Sequence, residues 1–146
     1  MDKTFKILVE KGKKEYYRVI VFKNKAELQG HYHRACVGRP ELGVEAGTIQ
    51  YKTVHKLPKR GRKKTLIPML GDIIFWDKNL GPGVVAHEMD HAATFFFNKE
   101  KIPLSVHTKR HKDWHKNNER HAWMVGYLTN QFWKKYGQQP YIKERY

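Results

Sequence analysis

The chain of 146 residues carries 29 Lys plus Arg against 14 Asp plus Glu, a formal charge of +15, and is 40% apolar and 13% aromatic. That length allows one domain around one core, and the aromatic content excludes a disordered tail, because aromatic area offsets the entropy of ordering. No apolar run reaches the roughly 18 residues of a membrane span, the opening MDKTFKILVEKGKKEYY lacks the apolar centre of a signal peptide, and Cys36 has no internal partner for a disulfide. A soluble protein of the reducing cytoplasm is expected, with no membrane partner, and its charge favours polyanions.

Thr4 to Glu10 and Glu15 to Phe22, joined by Lys11-Gly12-Lys13-Lys14, read as a β-hairpin from their Val, Ile, Tyr and Phe content. Asn24 stands where an N-cap belongs, ahead of a helix over Lys25 to Cys36. Val37 to Gly47 is Gly- and Pro-containing loop, Thr48 to Leu57 alternates as a strand, and Ile67 to Asp77 holds GDIIFWD, whose continuous apolar centre predicts burial on both faces. Between these strands, Pro58 to Lys64 has five basic residues in seven: Lys59, Arg60, Arg62, Lys63 and Lys64. They form either a solvated hairpin tip or one that contacts the phosphates of DNA or RNA.

Asn79 to Gly83 breaks the chain before Val84 to Asn98, a long helix with apolar flanks all round and therefore central to the fold. Lys99 to Asn117 is basic, rich in histidine and interrupted by Pro103, which predicts extended loop with one helical turn at most. Asn117 or Asn118 caps a last helix running to Tyr136 and stopped by Gly137 and Pro140. The expected class is α+β in a single domain, with a small mixed or antiparallel sheet packed on the Val84–Asn98 helix and the C-terminal helix. Residues 1–66 supply hairpin, first helix, strand and basic loop, and 67–138 the core that would bind a metal.

Within the long helix, His87-Glu88-Met89-Asp90-His91 is an HExxH sequence. At 3.6 residues per turn, both imidazoles lie on one face and can meet one metal ion, with Glu88 about 100° round the axis beside them. Two imidazoles suit one Zn2+ per chain, which in catalytic sites takes three protein ligands and a water. Zinc lowers the pKa of that water to about 7, and Glu88 is placed as the general base that takes its proton.

The third ligand must come from elsewhere. Glu119 begins a stripe with Trp123, Gly126, Asn130 and Trp133, which predicts one helix face toward the HExxH helix, with Gly126 allowing close approach and Glu119 brought to the metal. His107, His111, His115 and His121 are rival donors. Tyr127, Arg120, His121 and the loop histidines are all chemically able to stabilise an oxyanion. Phe95, Phe96 and Phe97, with Trp123, Phe132 and Trp133, are expected in the core.

VVAHEMDHA followed by NNERHAWMVGYL resembles the HExxH-plus-glutamate pattern of gluzincin-type zinc metallopeptidases, above all the minimal zincins of phage type and the peptidases that act on phage repressors. The resemblance covers residues 68 to 136, about half of the chain. It implies a zincin-like core: a sheet whose edge strand receives an extended substrate, the HExxH helix beneath it, GDIIFWD as the strand before that helix, and Glu119 as the third ligand beside His87 and His91. Arg120 and His121 depart from the family pattern, and the SprT-like zincins, which work on DNA-bound proteins, use a third histidine instead. The resulting expectation is a peptidase acting on a protein or peptide, acidic or associated with nucleic acid. The alternative is a basic protein binding nucleic acid or a host protein, with a structural or vestigial zinc site.

Overall fold

A computed structural model describes residues 2–35, 43–51, 54–56, 65–104 and 114–137. The elements in chain order are β1 (Lys3–Leu8), β2 (Tyr16–Phe22), α1 (Lys25–Ala35), β3 (Ala46–Gln50), β4 (Val54–Lys56), β5 (Thr65–Ile67), β6 (Met69–Trp76), α2 (Pro82–Lys99) and α3 (Trp114–Tyr136). The fold is α+β, with a four-stranded mixed sheet ordered β1-β2-β6-β3, a separate β4-β5 pair and three helices.

β1 and β2 pair antiparallel as the expected hairpin, while β2 pairs parallel with β6, so the two parts of the sequence meet in the middle of one sheet. β3 closes one side, antiparallel to β6. Gly71 makes that pairing possible, because a Cβ there would collide with the Ile49 carbonyl. The single strand expected over Thr48 to Leu57 is two, β3 and β4, and Pro68, which has no N–H to donate, separates β5 from β6.

Side-chain alternation sends neighbouring residues of β6 to opposite faces. Ile73 and Phe75 enter the larger core with Val19, Val21, Met89, Phe97, Met124, Leu128 and Phe132, under α2 and α3. Ile74 enters a second core with Ile20, Phe22, Leu28 and Ile49, under α1. Burial of GDIIFWD on both faces is therefore observed. Each fully buried Phe or Leu contributes about 1.5–3 kcal/mol through the apolar area it removes from water.

Helix positions follow from local chemistry. The Asn24 side chain accepts from the N–H groups of Ala26 (2.8 Å) and Glu27 (3.2 Å), capping α1. α2 starts with Pro82 after an extended Gly81, where a missing N–H costs nothing. α3 begins before the expected cap: Asn117 lies inside it, and its amide donates to the Pro103 carbonyl at 3.0 Å. Gln131 on α3 covers the outer edge of β1, accepting from the Leu8 N–H at 2.8 Å and donating to the Leu8 carbonyl at 2.7 Å.

α3 also turns a different face inward from the one its Trp-Gly stripe predicted. Met124, Leu128 and Phe132 are buried, whereas Trp123 is 76% exposed, Glu119 and Asn130 face solvent, and a Cβ on Gly126 would meet nothing within 4 Å. The reason is the larger apolar area of the Met-Leu-Phe stripe, with which one exposed Trp and a glycine do not compete. Of the aromatic residues expected in the core, Phe96, Phe97 and Phe132 are there, Phe95 and Trp133 are half-buried and Trp123 is outside. Among the described residues no helix is long and apolar enough to cross a membrane.

Candidate active site

α2 crosses beneath β3, and polar contacts from three side chains, Tyr17, Thr48 and Gln50, hold it to the sheet. The buried Tyr17 hydroxyl on β2 donates to the Ala92 carbonyl at 2.9 Å, and burial pushes that phenol well above its ordinary pKa. Thr48 Oγ1 on β3 lies 3.0 Å from the Glu88 carbonyl and 2.9 Å from Glu88 Oε1. Gln50 Nε2 donates to the Phe95 carbonyl at 3.3 Å. Glu88 is thus buried to 7% exposure, with a hydroxyl donor on its carboxylate.

An open groove of about 380 Å³ runs along β3, lined by Tyr32 of α1, the Gly43–Val44 connection, Ala46, Gly47 and Thr48 of β3, and Glu88, His91 and Phe95 of α2. Among the described residues β3 pairs with β6 alone, so the groove lies at a strand edge. His91 lines the groove and is exposed, and the exposed His87, one turn earlier on α2, lies against it with the two Nε2 atoms 3.0 Å apart. In that contact one Nε2–H donates to the lone pair of the other ring, and the rings meet edge to face with centroids 4.6 Å apart. His91 also stacks on Phe95.

These two imidazoles fit the two-histidine half of a zinc site in donor type and convergence. The other half is not assembled among the described residues, which hold no group of three His, Cys, Asp or Glu able to bind a metal ion. Glu119 stands on the outer face of α3, and His121, about 200° away round the axis, is the residue that faces α2. His121 Nε2 lies 3.0 Å from Thr94 Oγ1 and 3.6 Å from Asp90 Oδ1 and packs edge-on against Phe97. His115 is exposed at the start of α3, while His107 and His111 lie outside the described residues. Arg120 pairs with Glu10, its Nε 2.9 Å from Oε2, and Tyr127 is half-buried on α3; neither lines the groove. Lys59, Arg60, Arg62, Lys63 and Lys64 also lie outside the described residues.

Thr48, Tyr32 and Gly47 carried no signal in the sequence, since each joins the site from a distant element. The same holds for a second polar cluster, behind the sheet on the α1 side. Asp72 is fully buried and takes Arg18 Nε at 2.7 Å, Arg18 Nη2 at 2.8 Å, His31 Nε2 at 2.9 Å and the Tyr51 hydroxyl. Burial pushes its carboxyl up, but hydrogen bonds from Arg18, Tyr51 and His31 together outweigh that and hold it below its ordinary value. Tyr51 is pushed up to about 12, first by burial and then by its bond to Asp72. No protein-family model, curated protein or solved structure compared with this chain matches it.

Proposed function

We propose that the chain is a zinc-dependent peptidase of zincin-like architecture, in which His87 and His91 hold the metal and Glu88 is the general base. The observation that carries this reading is the meeting, at one strand edge, of a buried carboxylate and a convergent imidazole pair. Bound by the two imidazoles, zinc would supply an activated water and polarise a carbonyl.

The chain's own residues do the rest. The outer edge of β3 offers backbone groups to an extended peptide, as strand addition does elsewhere. Thr48 donates to Glu88 Oε1 and orients the carboxylate, which takes the proton of the attacking water and returns it to the leaving amine. To hold a metal through both Nε2 lone pairs, each neutral ring would carry its hydrogen on Nδ1. The sequence resemblance points to Glu119 as third donor, but Glu119 is exposed on the outer face of α3, so the proposal rests on His87, His91 and Glu88.

Elemental analysis of freshly purified, unchelated protein tests the reading. One zinc per chain is expected, lost in His87→Ala and in His91→Ala; absence of zinc from the unaltered protein would overturn it.

A second reading, contact with DNA or RNA, draws on the +15 charge and on topology. β4 and β5 pair antiparallel, so the sequence puts Lys59, Arg60, Arg62, Lys63 and Lys64 in the connection between two paired strands. Duplex binding that weakens with salt at a log–log slope of about −0.9 per phosphate contact is its expected signature. No binding at low salt removes it.

A further inference from the structure

The groove is not confined to the α2 side of β3. Ala46, Thr48 and Gln50 point toward α2, whereas Gly47 and Ile49 point toward α1, and Ile49 sits in the second core. Gly47 has no side chain to close that side. A Cβ there would lie 3.1 and 3.2 Å from the Tyr32 ring and 3.8 Å from Ile74. The ring therefore occupies the space that any other residue at position 47 would fill, and from there it lines the same groove as Glu88 and His91.

This side of the groove has its own character. Its wall is Tyr32 and Val44, both half-buried and both packed against the core of Ile20, Phe22, Leu28, Ile49 and Ile74. Gly43, where the backbone turns with φ +89°, leaves open space beside it. Among the described residues, the carboxylate and the imidazole that line the groove, Glu88 and His91, both come from α2 on the other side.

An extended peptide paired with β3 alternates its side chains between the two sides. A residue lying across from Thr48 faces Glu88, and its neighbour, across from Gly47, faces Tyr32. Directly opposed residues on paired strands have Cβ atoms about 4.5–5.5 Å apart, and the missing Cβ of Gly47 gives the incoming side chain access to the ring.

We propose that Tyr32, Val44 and Gly47 form a side-chain subsite on the α1 side of β3, which selects an apolar or aromatic residue in the peptide next to the residue that faces Glu88. This rests on the peptidase reading and deepens it: the substrate class is an unfolded or extended protein segment carrying such a residue beside the cleaved bond, and the selecting group comes from a helix outside the HExxH core.

The test uses the zinc-loaded full chain and a tryptic peptide library from a whole proteome, with cleavage sites read by mass spectrometry. One position should be enriched about tenfold in Phe, Leu, Met or Tyr, the discrimination an apolar pocket gives. Tyr32→Ala should reduce that enrichment to background while cleavage continues, Tyr32→Phe should keep it, and Gly47→Ala, which pushes the ring aside, should lower it. If Tyr32→Ala does not fold, as judged by circular dichroism, the Gly47→Ala profile decides. Cleavage that is abolished by Glu88→Gln but has the same profile in the folded Tyr32 and Gly47 variants overturns the subsite and leaves the peptidase standing. No cleavage by the unaltered zinc-loaded protein overturns the peptidase reading, and the subsite with it.

Discussion

The two faces of the central sheet treat buried charge in opposite ways. Behind the sheet, Asp72 has no exposure, and its carboxylate is surrounded by donors from β2, α1 and the residue after β3. In front, Glu88 is nearly as buried, yet it opens on a groove, and the imidazoles beside it contact each other at the surface. A carboxylate with its acceptor capacity filled is a clamp, and here it fixes α1 and the end of β3 to the sheet. A buried carboxylate that opens on a groove keeps acceptor capacity for a further partner. Burial and charge are shared by the two clusters, so what separates them is access and spare hydrogen-bonding capacity.

The largest expected effect separates them directly. Glu88→Gln should lower peptide hydrolysis by at least about 10²–10⁴-fold, the range of general-base catalysis, with zinc content unchanged by elemental analysis. Unaltered turnover would show that Glu88 is a structural carboxylate like Asp72.

Asp72→Asn should act on stability, by about 3 kcal/mol in urea unfolding. That is the low end for breaking a buried pair, because the Arg18 side chain is 40% exposed and regains water. The pH dependence follows from the sign of the shift. With the folded-state carboxyl below its ordinary value of 3.8, its contribution is complete above that value and is lost as pH falls through the lower folded value. The unaltered protein should therefore lose this stability only below about pH 4, and Asp72→Asn should flatten that acid limb in a series of unfolding curves.

A smaller effect tests which face of α3 looks inward. Gly126→Ala places a methyl in open space within a helix and should stabilise by about 1 kcal/mol, whereas Leu128→Ala should cost about 2–5 kcal/mol. A destabilising Gly126→Ala would mean that the Trp123–Gly126 face packs on α2 after all. The smallest effect expected is none: with α3 oriented as described, Glu119→Gln leaves zinc content unchanged. Loss of zinc in that variant would mean that α3 turns about its axis when the metal binds.

Local patterns in the sequence account for the elements and for half of the site. The hairpin, the Asn24 cap, the two-sided burial of GDIIFWD and the HExxH helix are each written within a short stretch. His87, Glu88 and His91 share one helix, so helical geometry alone brings them together. The buried face of α3 is not legible in the sequence, because two faces of that helix carry aromatic residues, and which is buried depends on the apolar area it meets across the core. Thr48 shows the same boundary from the other side. It is an ordinary strand residue in the sequence, and its contact with Glu88 spans 40 positions.

Local spacing along the chain is enough to show a buried strand and one helix that presents two histidines and a glutamate, because those relations recur every few residues along a single backbone. Packing between distant elements places β3 at the sheet edge above that helix, brings Tyr32 to the groove past Gly47, gathers Arg18, His31 and Tyr51 on Asp72, and turns His121 rather than Glu119 toward α2. These are relations between elements distant in the chain. They are set by which apolar faces bury the most area together, and no local spacing records that competition.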